Sequence, residues 1–168
     1  MNTTARSMPA VPMCGRSGSV QVLHPGDVAL GERGDRLETL LGSCVAIVLT
    51  DPRRTVGAMC HIVHSRPAAA GSVVSSAYAD VALDHMYALL RSRGIEPTLC
   101  EAYVYGGGNM FPALCAQGHV GEENAQWALE ALAHDGVPVL HHDLGGNTYR
   151  RLCWVVGPEA PQVTAVAV

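Results

Sequence analysis

The sequence predicts a mixed α/β sandwich in which two main helices flank largely antiparallel strands. Three observations favour this class: the predicted strands outnumber the helices, several strands adjoin one another as hairpins, and no internal repeat is visible. Together they favour a sandwich with helices on one side over a doubly wound parallel sheet.

The composition is that of one globular domain. The chain has 168 residues, of which 48% are apolar and 15% charged, which argues against general disorder. The net charge of −4 provides no basic face for a nucleic acid, and no apolar run is long enough to cross a membrane. The N-terminal segment has no continuous apolar stretch of the kind found in secretory signals, so we expect a cytoplasmic protein without membrane insertion.

The domain is predicted to begin after a short extension. Residues 1–18 are rich in Ser, Pro, Gly and Thr, which indicates a flexible N-terminal segment, and 19–168 form a single domain. A first strand is expected at 20–24. The apolar run 37–49 is followed by an Asp-Pro turn and a further apolar run at 55–63, which predicts a hairpin of two antiparallel strands.

The second half of the chain alternates helices and strands. Ser76 is the predicted N-cap of a helix that runs to Arg93, with Gly94 as its stop, and Gly136 ends a second helix. The apolar residues of both helices recur at helical spacing, so each helix has one buried stripe. The remaining elements are strands at 98–105, 137–143 and 148–157, the helix at 121–134, and a weak edge strand at 161–168.

Cys44 stands out among six cysteines that are scattered without C-x-x-C pairs and that we expect to be reduced and mostly buried. It follows Gly42 and Ser43 at a break in an apolar run, where the backbone can turn sharply. Such a corner would expose a thiol, and the N–H groups around Ser43 and Cys44 would face a developing oxyanion.

His61 is the leading candidate for the base that a nucleophilic cysteine needs. If 40–49 and 55–63 pair across the Asp51-Pro52 turn, Cys44 and His61 lie near the same end of the hairpin, although the register is open. On spacing alone, the ordinary alternative of a core cysteine and a core histidine is the stronger hypothesis.

Five ordered motifs change that balance. They are "TLLGSCVAIVLTDP…TVGAMCHIV", "YAD", "YGGGNMF", "VGEENAQWALEAL" and "DLGGNTYRR". With these motifs, the segment 20–154 resembles the CheD family of chemoreceptor glutamine deamidases. The resemblance implies a three-layer α/β/β sandwich of the cysteine-hydrolase type and a protein-glutamine glutaminase activity that needs neither metal nor cofactor.

The resemblance also implies site residues. Cys44 matches the nucleophile and His61 the general base of the family. Thr39 matches the third member of the triad, which orients the imidazole, and the neighbouring Glu38 is a competing partner for the ring. The family's substrates are methyl-accepting chemotaxis receptors, whose glutamine side chains become glutamates in the cytoplasmic helical region.

Two glycine clusters are candidates for lining the substrate groove, because residues without side chains allow close approach. The ordinary alternative for each cluster is a tight turn after a strand, and the sequence favours neither. Tyr78 and Asp80 of the "YAD" motif are better explained by a helix start, where a carboxylate is favourable. The candidate groove residues are Ser43, Gly106, Gly107, Gly108, Asn109, Gly145, Gly146 and Asn147.

The neighbouring His141, His142 and Asp143 invite a metal hypothesis, which the sequence does not favour. Adjacent residues of a strand point to opposite faces, so the two imidazoles do not readily share one ion. No H-x-x-x-H or cysteine-pair spacing is present either. We therefore predict no metal site.

Two alternatives to a receptor deamidase stay open. The first is a non-enzymatic adaptor that binds receptors or a CheC-type phosphatase, a partner that the resemblance suggests for some bacteria. A different cysteine acyl-transfer enzyme, such as a peptidase or a transglutaminase, would use the same pair of side chains. Cleavage, cross-linking and deamidation change the mass of a receptor fragment differently, so one assay separates these activities.

Overall fold

The computed structural model describes residues 18–166, so the predicted extension at 1–18 lies almost entirely outside the described residues. Within that range, nine strands and two α-helices form three layers. The strands are β1 (Val20–Leu23), β2 (Val28–Glu32), β3 (Arg36–Leu41), β4 (Val45–Thr50), β5 (Val56–Cys60), β6 (Glu101–Gly106), β7 (Val139–Leu144), β8 (Tyr149–Val155) and β9 (Gln162–Val166). The helices are α1 (Ala79–Ser92) and α2 (Val120–His134).

The strands of the described residues form two sheets. One has four strands in the order β1-β3-β8-β9, and the other has five in the order β2-β5-β4-β6-β7. The pairs β1–β3 and β6–β7 are parallel and the other pairs are antiparallel. This confirms the predicted mixed, largely antiparallel sandwich.

Two hydrophobic cores hold the layers together. The first lies between the five-stranded sheet and the helices, where α1 packs on β5 and β2 while α2 packs on β6, β4 and β7. The second lies between the sheets and contains Leu37 and Trp154 from one sheet and Val48 and Met59 from the other. Because β4 has a core on each face, all six of its residues are buried.

The apolar run 37–49 contains two strands and not one, so the hairpin strand that was predicted at 40–49 begins only at Val45. Gly42, Ser43 and Cys44 form a corner that carries the chain from β3 in one sheet to β4 in the other. Leu40 and Leu41 therefore pair with β8 and not with β5. The predicted hairpin itself is confirmed, since β4 and β5 are antiparallel across the Asp51 turn.

Several predicted boundaries were wrong for local reasons. Ser76 is not a cap: α1 begins after Tyr78, which makes no side-chain capping hydrogen bond. The strand predicted at 98–105 starts later, because a short 3₁₀ helix occupies Pro97–Leu99. Strand β2 was not predicted, whereas the expected edge strand near the C-terminus is present as β9.

Candidate active site

Cys44 and His61 lie on the same face of the five-stranded sheet. Val45 and Ile62 exchange two backbone hydrogen bonds of 3.0 and 2.8 Å, which continues the β4–β5 register beyond the strands. Cys44 is therefore opposite Val63, and His61 is its diagonal neighbour on that face. Cys44 packs against the core between the two sheets, so the thiol is at one end of the space that the sheets enclose.

The imidazole of His61 is held by Thr39. Thr39 Oγ1 lies 2.8 Å from His61 Nδ1 and 2.8 Å from the carbonyl oxygen of Leu23. Because a hydroxyl has one hydrogen, and the Thr39 hydroxyl donates it to Leu23, it accepts the hydrogen of Nδ1. The arrangement assigns the proton of the neutral ring to Nδ1 and leaves Nε2 with a free lone pair.

Glu38, the competing partner in the sequence, does not contact the ring. Successive residues of a strand point to opposite faces, and of these two neighbours it is Thr39 that faces the second sheet. Glu38 pairs instead with Arg36, and its Oε1 lies 3.8 Å from the thiol of Cys153. The residue that steadies the imidazole is therefore Thr39.

Burial favours the neutral forms of both Cys44 and His61. Desolvation raises the pKa of the Cys44 thiol. Burial also lowers the pKa of His61 to about 4, although the negative charge of Asp27 and the carbonyl of Leu23 oppose the shift. The thiol makes no hydrogen bond to the ring anywhere in the described structure. At neutral pH the two groups are thus a thiol and a neutral imidazole.

The three carbonyl groups of the corner, Gly42 to Cys44, are hydrogen-bonded to the first glycine cluster and to α2. The carbonyl oxygens of Gly42 and Cys44 each accept a hydrogen bond of 2.9 Å, from the N–H groups of Gly108 and Gly107 respectively. The carbonyl of Ser43 accepts one of 3.1 Å from Asn124 Nδ2. All three consecutive carbonyls are therefore occupied.

The N–H groups of Ser43 and Cys44 point the other way. No peptide bond of the described chain is cis, and in a trans peptide the N–H lies opposite the carbonyl. Within residues 18–166, neither N–H has an intramolecular acceptor. Two unpaired donors next to a thiol are what an oxyanion hole requires.

The first glycine cluster forms the wall against which the corner packs. Gly106 has φ +113°, and a Cβ there would lie 2.2 Å from the carbonyl oxygen of Cys44. The carbonyl of Gly106 accepts hydrogen bonds from Gly145 N (2.9 Å) and the buried Arg150 (3.4 Å). The cluster therefore positions Cys44 through the backbone.

The other predicted groove residues differ in what they contact. Asn109 is buried, and its side chain binds the backbone of Phe111 and Cys115 within its own loop. The carbonyl of Gly146 accepts a 2.7 Å hydrogen bond from the N–H of Asn109. Asn147 is exposed at the surface, so the groove role predicted for these residues stays a prediction.

Two residues of this region were not singled out from the sequence. Asn124 and Arg150 are both buried and both bind backbone carbonyls around the corner. A signal was present in each case. Asn124 falls in the buried stripe of α2 at helical spacing, and Arg150 alternates with the buried Leu152 and Trp154 along β8.

The fold and the geometry together define an α/β sandwich that carries a thiol beside an oriented imidazole and two free N–H donors. Comparison with known proteins then identifies the family. Residues 65–159 match the model of the CheD family, described as "CheD chemotactic sensory transduction". The matched segment covers the glycine loops and α2 and begins after His61.

Individual relatives agree. A probable chemoreceptor glutamine deamidase CheD 2 of Albidiferax ferrireducens is 35% identical over 138 residues, which is 80% of each chain. A probable chemoreceptor glutamine deamidase CheD 1 of Anaeromyxobacter dehalogenans is 33% identical over 150 residues, 89% of this chain and 86% of the relative. The corresponding protein of Pseudomonas syringae pv. syringae is 34% identical over 134 residues, 78% and 76%. The chain belongs to the CheD family.

None of the helices in the described residues is both long and apolar enough to span a membrane.

Proposed function

We propose that this protein hydrolyses the side-chain amide of selected glutamines in chemotaxis receptors, leaving glutamates. The observation that carries the proposal is the hydrogen bond between Thr39 and His61 Nδ1, which orients the imidazole beside the corner that holds Cys44. The relatives are named as probable chemoreceptor glutamine deamidases, and this name supplies the substrate. The reaction is expected in the cytoplasm, on the cytoplasmic helical region of the receptor.

The first half of the reaction forms a thioester. Cys44 Sγ attacks the carboxamide carbon while its proton passes to His61 Nε2, because both groups are neutral at rest. The carbonyl oxygen becomes an oxyanion, and the N–H groups of Ser43 and Cys44 stabilise it. The imidazolium then protonates the amide nitrogen, the C–N bond breaks, and ammonia leaves.

The second half restores the thiol. Nε2 of His61 takes a proton from a water molecule, whose oxygen attacks the thioester carbon. The same two N–H groups hold the second oxyanion. When the C–S bond breaks, the sulfur takes the proton back from the imidazolium, and the receptor carries a glutamate. Thr39 keeps the ring in the tautomer that both halves need.

The test follows the mass of purified cytoplasmic receptor fragments incubated with the protein. Deamidation replaces an amide NH₂ by OH at defined glutamines, and Cys44→Ala and His61→Ala should each abolish this change. Cys153→Ala is the matched control, because this thiol is partly buried on β8 beside Glu38 and should leave the rate unchanged. Full deamidation by Cys44→Ala would overturn the proposal.

The same assay separates the alternatives. A peptidase would shorten the fragments, a transglutaminase would join them to an added amine, and a non-enzymatic adaptor would bind them without changing their mass. The CheC-type partner stays a prediction, and receptor deamidation measured with and without such a phosphatase would test it.

A further inference from the structure

Asn124 is a buried amide in an apolar stripe, and the proposed mechanism assigns it no role. It is 1% exposed and lies on α2 together with the buried Gly121, Ala128 and Leu132. A polar side chain in such a position destabilises the fold unless its hydrogen bonds are satisfied. Asn124 satisfies only part of them, since Oδ1 has no partner among the described residues.

The amide nitrogen of Asn124 is fully used. Nδ2 lies 3.1 Å from the carbonyl oxygen of Ser43 and 3.0 Å from that of Val63. Because both neighbours are acceptors, the orientation of the carboxamide is fixed: the NH₂ group faces them, and each of its hydrogens has one partner. A single side chain therefore joins the corner before Cys44 to the segment after β5.

These two carbonyls flank the reactive groups. Ser43 contributes the carbonyl half of the peptide whose other half is the N–H of Cys44, so fixing one direction fixes the other. Val63 is opposite Cys44 in the β4–β5 register and two residues beyond His61. The thiol and the imidazole lie on the face of the sheet that is turned away from α2.

The position of α2 depends on a close approach that only glycine allows. A Cβ at Gly121 would lie 2.3 Å from the carbonyl oxygen of Gly108. Asn124 follows about one turn later in the helix. The contact between the first turn of α2 and the glycine cluster therefore fixes the distance from Asn124 to Ser43.

We propose that Asn124 is a positioning residue that aims the N–H of Cys44 into the oxyanion hole by holding the Ser43 carbonyl from behind. It acts from the opposite face of the sheet and touches neither substrate nor thiol. The inference rests on the proposed role of Cys44 as nucleophile. It means that α2 orients the N–H donors of the oxyanion hole.

The test compares two reactions of the same thiol. In acylation by p-nitrophenyl acetate, a bond forms between the sulfur and the acetyl carbon, the bond from that carbon to the phenolic oxygen breaks, p-nitrophenolate leaves and the thiol proton goes to His61. This reaction passes through an oxyanion. Alkylation by iodoacetamide displaces iodide at a saturated carbon and forms none. The rates are measured on the Cys44 peptide by mass spectrometry, with Cys44→Ala as the blank.

The variants separate positioning from packing. Asn124→Leu keeps the volume without the donors, and Asn124→Ala removes both. Glu130→Ala, on the exposed face of α2, is the matched control. If Asn124→Leu does not give the circular dichroism of the wild type, Asn124→Ser replaces it, since a serine hydroxyl has one hydrogen and cannot hold both carbonyls.

We expect acylation of both Asn124 variants to fall by at least about ten-fold relative to alkylation, because a misdirected donor loses much of its effect on the oxyanion. An unchanged ratio would overturn the proposal, as would a parallel loss of both rates, which would mean that Asn124 holds the sulfur and not the N–H. If the wild type fails to deamidate receptors while the ratio still falls, the proposed function is wrong and the role of Asn124 stands.

Discussion

The two ends of the β4–β5 hairpin differ in whether their backbone N–H groups are hydrogen-bonded. At the turn, Asp51 Oδ1 accepts hydrogen bonds of 2.8 and 2.9 Å from the N–H groups of Thr55 and Val56, and its Oδ2 accepts one of 2.7 Å from the Thr55 hydroxyl. At the other end, the N–H groups of Ser43 and Cys44 have no acceptor in the described structure. The hydrogen bonds at the turn stabilise the hairpin, whereas the unpaired N–H groups at the other end, the open end, are the donors of the proposed oxyanion hole.

The electrostatics follow the same division. Burial alone would raise the pKa of Asp51, but hydrogen bonds from Val56 and Thr55 hold it below its usual value. At the open end no donor offsets burial, so the pKa of the Cys44 thiol rises. Asp51, which has hydrogen-bond donors, therefore keeps its charge, and the Cys44 thiol, which has none, stays neutral.

The largest effect is expected from a substitution that places a side chain against the backbone of Cys44. Gly106→Ala adds a Cβ that would lie 2.2 Å from the Cys44 carbonyl oxygen, at a φ of +113° that alanine rarely adopts. We expect deamidation to fall at least about 100-fold, because the corner must move. Gly34→Ala, also at positive φ but with open space around it and outside the candidate site, is the control for backbone strain in both kinetics and thermal unfolding.

Acidification should lower the free energy of unfolding through His61, near the open end of the hairpin. The pKa of His61 is lowered to about 4 in the folded protein and is near 6.5 when unfolded, so the unfolded chain binds more protons between these values. The stability is complete above pH 6.5 and falls by up to about 3 kcal/mol as the pH drops to 4. Urea unfolding of the wild type and of His61→Asn between pH 6.5 and pH 4 measures how the free energy of unfolding depends on pH. The same dependence in both proteins would contradict the prediction.

Loss of the turn carboxylate should affect stability and not chemistry. Asp51→Ala leaves the N–H of the buried Val56 and that of Thr55 without their acceptor, at a cost of about 2 kcal/mol in the free energy of unfolding. Because the folded pKa of Asp51 is lowered, its contribution is present above the unfolded pKa near 3.9 and is lost as the pH falls through the folded pKa. The kcat measured well below the unfolding temperature should stay at the wild-type value.

Thr39 offers the smallest expected effect. Thr39→Val keeps the shape but leaves Nδ1 of His61 without an acceptor, so the ring loses its preferred tautomer and kcat should fall about ten-fold with little change in KM. Thr39→Ser retains the hydroxyl and should restore most of the rate. Equal losses in the two variants would show that the methyl group, and not the hydrogen bond, matters.

Local patterns predicted much of the fold. Turn residues at Asp51-Pro52, helical spacing in α1 and α2 and the apolar run of β8 identify their elements, because each depends on near neighbours. The corner at Gly42–Cys44 was identified as a bend, but its crossing between two sheets depends on partners more than 100 residues away, such as Trp154 opposite Leu37. A single sequence carries no direct signal for that pairing.

The candidate site divides in the same manner. Cys44 and His61 were predicted from a break in an apolar run, a hairpin and motif resemblance, and Thr39 from the resemblance alone. The choice between Thr39 and Glu38 needed the register that turns one of them toward the second sheet. Asn124 falls in the buried stripe of α2, but the stripe shows only that the amide is buried, and the carbonyls that it binds lie 61 and 81 residues away along the chain.

The two contacts that orient the candidate site enclose very different lengths of chain. The bond between Thr39 and His61 spans 22 residues, whereas that from Asn124 to Ser43 spans 81. A longer loop closes at a higher entropic cost, so the second bond depends more on the packing of the elements between its two ends. Under the proposed role of Asn124, a molecule in which α2 is detached would keep the Thr39–His61 bond and lose the direction of its oxyanion donors.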